Sequence, residues 1–395
     1  MNGPSYSILQ GDVLERLDGI ERGSIHCVVT SPPFWGLRRY DVCPCAVGEV
    51  RDPACEWCSG TGRVSGYHPS VWGGDLNCHH EWKATGSPDR NGWWFCVCGA
   101  GRGHLGLEVT PDEFIDHLKL VMDGLWRVLR DDGVAFIELG DTYTSGGVGV
   151  REKSLALIPE RFALACQRAR WVVRSKPIWQ RPNPMPEGAS DRPTVDYSQI
   201  YMLSKSPQYF SDMEGVRMRG HNLRTVWTIP PSADLQFRHY ATYPVELARM
   251  MVRIGTSEMG CCQACGAQIR RVVRASGGGI GRTIDDHSAP DPIARGRSGV
   301  MGAGVTPGWS TSSYVRSTVG WERTCDCPPD TPTRPSTVLD PFAGSGTTLA
   351  AAKMLGRDSI GIELSPYFTS VARGRLDSVK VETPYQRGQA RLNVL

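Results

Sequence analysis

The stretch that most restricts what this chain can become lies near its start. There the apolar run Ile25-His26-Cys27-Val28-Val29 passes directly into Thr30-Ser31-Pro32-Pro33-Phe34-Trp35. A short β-branched run closed by proline predicts a buried strand, and two successive prolines force a stiff turn that cannot continue a ladder. The turn sets a hydroxyl, carbonyls without ladder partners and an aromatic ring at the edge of a sheet. Such a group can hold a flat polar molecule that carries an amino group; an ordinary strand exit is the plainer alternative. What decides is whether the rest of the chain offers a cofactor site and a nucleic-acid surface.

At 395 residues the chain accommodates one large α/β domain with insertions, or two domains. Lys and Arg number 44 against 41 Asp and Glu, so any nucleic-acid surface must be local. Met1 to Gln10 has no charged segment followed by an apolar one, and no apolar run approaches the ~20 residues that cross a bilayer. A cytoplasmic protein with no membrane partner is expected. In that compartment fourteen cysteines stay reduced, so clustered thiols point to zinc and not to disulfides.

Tyr6 to Gln10 reads as a strand ending at Gly11-Asp12, with a short helix from Val13 to Leu17. Asp12 can meet a ligand there or simply cap that helix. Together with the strand at Ile25 to Val29 this is a βαβ unit and implies a parallel sheet. From about Arg39 to His104 the rhythm breaks. Cys43, Cys45, Cys55 and Cys58 form one set of thiols, and Cys78, His80, Cys96 and Cys98 a second set with mixed ligands. A long segment without structure of its own is unusual in a compact domain, and a metal resolves it by cross-linking a stretch too small for a core. Cys55/Cys58 has knuckle spacing, while Cys43/Cys45 and Cys96/Cys98 are one residue tighter.

Thr110-Pro111-Asp112-Glu113 is a helix start, and Phe114, Leu118, Val121, Leu125, Val128 and Leu129 recur at helical spacing. Asp131-Asp132-Gly133 should end that helix and Val134 to Leu139 follow as a buried strand. Gly140-Asp141-Thr142-Tyr143 then lies at the strand's carboxyl end, where open α/β sheets place ligands. Further on come a helix over Pro159 to Arg170, strand material at Trp171 to Val173 and Pro177 to Gln180, and a proline-rich turn from Arg181 to Pro186. An alternating strand at Tyr197 to Leu203 and a helix at Pro244 to Ile254 follow. Cys262 and Cys265 are answered by Cys325 and Cys327, a third thiol set. Between them, Ala275 to Thr318 has no hydrophobic period and predicts a flexible loop closed at its base by metal. Arg270, Arg271, Arg274, Arg282, Arg295 and Arg297 make this neighbourhood basic, suited to solvent or to phosphate contact.

The second constraining motif comes last. Thr337 to Asp340 is a short buried strand, Pro341-Phe342-Ala343-Gly344-Ser345-Gly346-Thr347-Thr348 a Gly-rich turn, Leu349 to Leu355 a helix, and Ser359 to Glu363 a strand ending in an acid. Glycines let backbone approach a ligand, and the helix start offers free N–H groups. An acid about 20 residues past such a turn is the ribose reader of nucleoside cofactors on this kind of sheet. Neither G-x-G-x-x-G nor a P-loop lysine is present, which favours an adenosine cofactor without a pyrophosphate.

With both motifs in hand, the chain resembles the bacterial and phage DNA amino-methyltransferases that use S-adenosylmethionine. Asp340 to Thr347 is similar to their cofactor motif, Thr30 to Phe34 to their catalytic motif and Gly356 to Glu363 to their ribose strand. Trp179 to Pro186 and His239 to Leu247 are similar to later core segments. The catalytic motif comes first, the permuted order of the β group. The resemblance implies an α/β Rossmann-like class I methyltransferase sheet, mostly parallel and circularly permuted, from which the zinc-binding insertions depart. It divides the chain into a core (1–40, 105–260, 330–395), a cysteine-rich insertion (41–104) and a zinc knuckle with its Arg-rich loop (261–329). Residues 181–238 become the candidate target-recognition segment.

It further implies double-stranded DNA as substrate, a flipped base, and a place for a cognate restriction endonuclease as partner. In this family Asp-Pro-Pro-Tyr accompanies N6-adenine methylation and Ser-Pro-Pro-Tyr/Phe accompanies N4-cytosine methylation; Ser31 therefore favours cytosine, with adenine as the alternative. Ser31, Pro32, Pro33 and Phe34 would be catalytic, with Ser31 Oγ and the Pro32 carbonyl accepting amine hydrogens and Phe34 stacking on the base. Thr30, Asp340, Pro341, Phe342, Ala343, Gly344, Ser345, Gly346 and Thr347 would frame the cofactor. Glu363 would take its ribose hydroxyls and Asp12 its adenine amine. Up to three structural zinc ions are expected, and Cys27 is a core residue, not a nucleophile. A methyltransferase of RNA or protein, and a non-catalytic zinc module that binds nucleic acid, are the competing readings.

Overall fold

The computed structural model describes residues 3–36, 69–75, 77–83, 93–146, 149–184, 186–217, 221–231, 243–276 and 315–382. The chain starts with β1 (Tyr6–Gln10), α1 (Val13–Asp18) and β2 (Ile25–Thr30). A small sheet follows, made of β3 (Ser70–Trp72), β4 (Trp94–Phe95) and β5 (Gly101–Gly103). Then come α2 (Pro111–Val128), β6 (Leu129–Leu139), α3 (Ile158–Arg168), β7 (Val172–Ser175), β8 (Ile178–Gln180), β9 (Tyr197–Ser204), β10 (Val226–Thr228) and α4 (Val245–Gly255). The last part adds β11 (Cys261–Cys262), β12 (Arg270–Ser276), β13 (Val315–Glu322), β14 (Thr333–Arg334), β15 (Thr337–Asp340), α5 (Thr347–Met354), β16 (Asp358–Glu363) and α6 (Pro366–Ser378).

The main sheet is nine-stranded, in the order β1-β16-β15-β2-β6-β9-β8-β10, with β7 also paired to β9. β1, β16, β15, β2 and β6 are parallel, and β9 runs against β6. The strands β1 and β2 are consecutive in sequence, yet the late unit β15-α5-β16 sits with its two strands between them. That insertion makes residues 30 and 340 neighbours. Every residue of β2 is buried: Ile25 and Val28 join a core shared with α1, α2 and α3, while Cys27 and Val29 join one shared with α4 and α5. Helix α2 begins with a reciprocal capping box between Thr110 and Glu113 and buries Phe114, Leu118, Val121 and Leu125. Each such side chain contributes about 1.5–3 kcal/mol of burial. Among the described residues no helix is long and apolar enough to cross a membrane.

Two expectations are corrected. Helix α2 stops at Val128, before Asp131-Asp132-Gly133, and those residues already belong to β6. Tertiary partners hold them extended: Lys205 pairs with Asp131 at 3.2 Å, and the Phe210 N–H donates to the Asp132 carbonyl at 2.8 Å. The loop expected over Ala275 to Thr318 has paired strand at both of its ends, where residues 270–276 and 315–322 form an antiparallel ribbon; residues 277–314 lie outside the described residues. Within it Arg271 is no free cation. It lies 4.3 Å from the Trp321 ring and pairs with Asp212 at 2.8 Å and Glu258 at 2.7 Å. Arg282, Arg295 and Arg297 lie outside the described residues.

Candidate active site

Because β2 and β15 are adjacent and parallel, their carboxyl ends open at the same edge of the sheet. Successive residues leaving a strand point to opposite sides, and Thr30 and Ser31 divide accordingly. The Thr30 hydroxyl donates to Asp340 Oδ1 at 2.6 Å and the Ser31 hydroxyl to Glu138 Oε2 at 2.6 Å. Asp340 also accepts from Thr348 Oγ1 (2.7 Å), the Phe342 N–H (3.0 Å) and Tyr243 OH (3.4 Å). Tyr243 OH in turn bonds Thr348 Oγ1. Burial pushes the Asp340 carboxyl pKa up against those bonds.

Glu138 is the penultimate residue of β6 and is 2% exposed. Burial raises its pKa, opposed by the bond from Ser31, and its second oxygen, Oε1, is buried with no hydrogen-bond partner among the described residues. Arg181 stands on the same wall, donating to Ser198 Oγ at 2.8 Å and the Tyr197 carbonyl at 2.9 Å. Phe34 lies flush against Gly140, where an added Cβ would sit 2.7 Å from the ring.

Ser31, Phe34, Glu138, Arg181, Tyr243 and Asp340 border one cavity of about 860 Å³. Pro341, Phe342, Ala343, Gly344, Ser345, Thr347 and Glu363 line it on one side, and Ser31, Pro32, Pro33, Phe34, Glu138, Tyr143, Trp179 and Arg181 on the other. Gly344 takes the left-handed φ of 49° that the tight turn requires. Gly346 is the N-cap of α5, and Thr30 is buried behind the wall.

Three acids at this edge also bond the backbone around them. Both Glu363 oxygens already serve backbone, Oε2 accepting from the Gly344 N–H at 2.8 Å and Oε1 from the Ser365 N–H at 2.7 Å. Burial drives this carboxyl up to about 7. Asp12 Oδ1 caps α1 through Leu14 and Glu15; its neighbours Gly11 and Val13 line the cavity, while Oδ2 is buried without a partner among the described residues. Asp141 caps α3 through the Leu157 and Ile158 N–H groups, at 3.1 Å each. Glu138, Tyr243 and Thr348 were not singled out from sequence. For Glu138 a signal existed, an acid inside the otherwise apolar Val134 to Leu139; Tyr243 and Thr348 fall inside the segment His239 to Leu247 and the Gly-rich turn, where neither is given a role of its own.

The ligand atoms of Cys78, His80, Cys96 and Cys98 lie within 4.8 Å of one another, as do those of Cys262, Cys265, Cys325 and Cys327. Cys43, Cys45, Cys55 and Cys58 lie outside the described residues. Cys27 is fully buried, and burial raises its thiol far above the range of a nucleophile.

A family model described as DNA methylase matches residues 25–262 and 332–373. The Type II methyltransferase M.Cfr9I of Citrobacter freundii is 29% identical over 283 residues, which cover 65% of this chain and 74% of that protein. M.SmaI of Serratia marcescens, also a Type II methyltransferase, is 25% identical over 401 residues, covering 94% and 91%. Among solved structures, the PvuII DNA methyltransferase, described as cytosine-N4-specific, matches with a TM-score of 0.52 at 14% identity, over 100% of this chain and 95% of that one. That likeness is one of fold, a Rossmann-like methyltransferase sheet. With a family match that runs well beyond half of its length and takes in both loops that meet at the cavity, the chain belongs to the DNA methylase family of N6- and N4-type amino-methyltransferases.

Proposed function

We propose that this protein transfers a methyl group from S-adenosylmethionine to the exocyclic amine of a base flipped out of duplex DNA, with N4 of cytosine as the acceptor. The pairing at residues 30 and 31 carries this reading: one hydroxyl joins the Gly-rich turn through Asp340, and the next points at a buried carboxylate across the same cavity. The Gly-rich wall suits an adenosine cofactor. Glu363 keeps unused lone pairs there for ribose hydroxyls, and Asp12 Oδ2 is an unanswered acceptor next to the lining residues Gly11 and Val13.

When bound, this cofactor supplies a methyl group already activated as a sulfonium. The chain's own residues position the acceptor and manage its proton. An exocyclic amine is a poor nucleophile because its lone pair is delocalised into the ring. With its own hydrogen directed at Glu138, Ser31 Oγ turns lone pairs toward an amine hydrogen. As the nitrogen gains its methyl group, that hydrogen passes to Ser31 Oγ and the serine's proton moves to Glu138. Burial makes Glu138 a stronger base than an exposed carboxylate. Extrusion of the base is needed because the duplex hides the amine, and stacking on Phe34 would add ~1–3 kcal/mol.

The serine of Ser31-Pro32-Pro33-Phe34 supports cytosine over adenine. Residues 181–238 and the Arg-rich loop are assigned to target reading, and zinc to the thiol sets as a structural ion. The deciding experiment supplies labelled methyl donor with duplex DNA, RNA and protein, then digests the product and identifies the modified nucleoside. N4-methylcytosine is expected; N6-methyladenine would overturn the acceptor, and labelling confined to RNA or protein would overturn the substrate.

Glu363→Ala is expected to weaken cofactor binding roughly 10- to 100-fold by calorimetry, the worth of a charge-assisted hydrogen bond of about 1.5–3 kcal/mol. Ribose hydroxyls donate to the ionised carboxylate, so protonation opposes binding. Affinity should therefore fall as pH drops through about 7 and level off above it, and Glu363→Gln should flatten that dependence. Unchanged affinity in the alanine variant would remove Glu363 from the cofactor site.

A further inference from the structure

We infer that Cys78, His80, Cys96 and Cys98 hold a divalent ion of the zinc class, and that this ion braces the outer side of residues 33–36. The inference deepens the proposed function, on which its meaning for the base pocket rests. Three thiolates and an imidazole within 4.8 Å of one another are the donor set of a closed tetrahedral site. The strands they join are two or three residues long, too short to hold a sheet without a cross-link. Around the cluster the Cys96 N–H donates to the Ala100 carbonyl at 2.8 Å, and the Gly99 N–H to the Cys96 carbonyl at 3.0 Å. This turn feeds directly into β5.

From β5 the chain passes His104 and Leu105, which line the cavity, to Gly106. The Gly106 carbonyl accepts from the Gly36 N–H at 2.8 Å. An added Cβ on Gly106 would lie 2.9 Å from the Phe34 carbonyl oxygen and 3.3 Å from Pro33 Cβ, so the two backbones pack without space between them. Two residues on, the Glu108 carbonyl accepts from Trp35 Nε1 at 3.0 Å. Toward the core, Trp72 and Trp93 pack on the His117 ring of α2 with centroids 5.4 and 4.9 Å away. His117 Nδ1 bonds Glu108 Oε1 at 3.0 Å. The small sheet is thus wedged between α2 and the back of the catalytic loop, and the metal sets the register of the strands that form the wedge.

The second thiol set offers an internal control. Its Gly266 carbonyl accepts from His26 Nε2 at 2.9 Å, near the amino end of β2 and away from the edge that carries residues 31–36.

The test measures metal content by mass spectrometry, and amide hydrogen exchange, in the full chain and in His80→Ala, Cys98→Ser and Cys265→Ser. Each variant should lose about one equivalent of zinc, as a tetrahedral site missing one ligand does. His80→Ala and Cys98→Ser should quicken exchange at residues 31–36 and 103–108 by roughly tenfold or more, the mark of a locally opened unit. Exchange at residues 340–348 should stay unchanged, and Cys265→Ser should leave 31–36 unchanged. Should the first two variants unfold throughout, the wild-type protein stripped by a chelator must show the same local exchange, and zinc must reverse it. Full metal content in the variants, or metal loss without faster exchange at 31–36, would overturn the inference. None of these readouts involves methyl transfer, so this inference and the proposed reaction fail separately.

Discussion

Ser31→Ala is expected to lower the rate of methyl transfer by roughly 10²- to 10⁴-fold, the range for removing a positioned proton-transfer group, with cofactor affinity kept within about twofold. The substitution removes one oxygen and leaves the turn, because the prolines that shape it are untouched. It also strips Glu138 Oε2 of its partner at 2.6 Å, while Oε1 already lacks one among the described residues. Burial raises the Glu138 pKa and the serine bond opposes that rise. Loss of the bond therefore shifts Glu138 further toward its neutral form, which cannot take a proton. Glu138→Gln should reproduce most of the loss with the serine still in place. Since the two act as one path, the double variant should be little worse than either single one. Single-turnover rates and calorimetry separate the outcomes. A parallel fall in cofactor affinity, or fully additive losses, would sink the assigned path.

Asp340→Ala is expected to act on both fold and function, destabilising the protein by about 3–5 kcal/mol. Its carboxylate is 2% exposed and answers four donors: Thr30 Oγ1, Thr348 Oγ1, the Phe342 N–H and Tyr243 OH. Each polar group left buried without a partner costs about 1–3 kcal/mol, less than additively because they share one site. At about 2–4 °C per kcal/mol for a core of this size, the melting temperature should fall by roughly 10 °C. Cofactor binding should fall with it, unlike in Ser31→Ala, because the Gly-rich turn loses its anchor on β2. Asp340→Asn should be milder. The amide fills the same space, and burial already disfavours the charged form of the acid. An alanine variant with the wild-type melting temperature would show that this network does not join the two loops.

Much of the site was legible because its shaping residues are local. The double proline after β2, the glycines after β15 and the close cysteine pairs each state their backbone or ligand chemistry within a few residues. The misreadings arose where a distant partner decides. Asp131-Asp132-Gly133 looks like a helix stop, but Lys205 and Phe210, more than 70 residues on, hold it extended. The paired ends of the Arg-rich segment, β12 and β13, lie about 40 residues apart in sequence, and nothing in either half announces the other. Glu138 stands out as an acid in an apolar strand, yet its partner Ser31 lies 107 residues earlier.

By itself, then, the sequence determined that the chain carries a stiff hydroxyl-bearing turn, a Gly-rich turn ending in an acid farther on, and sets of thiols spaced for metal. Only the tertiary structure decided which carboxylate each hydroxyl faces. The β15-α5-β16 unit enters the sheet beside β2, with β6 on the other flank, so Thr30 meets Asp340 and Ser31 meets Glu138. The physical reason is that side-chain alternation along a strand is local, whereas strand order depends on packing across hundreds of residues.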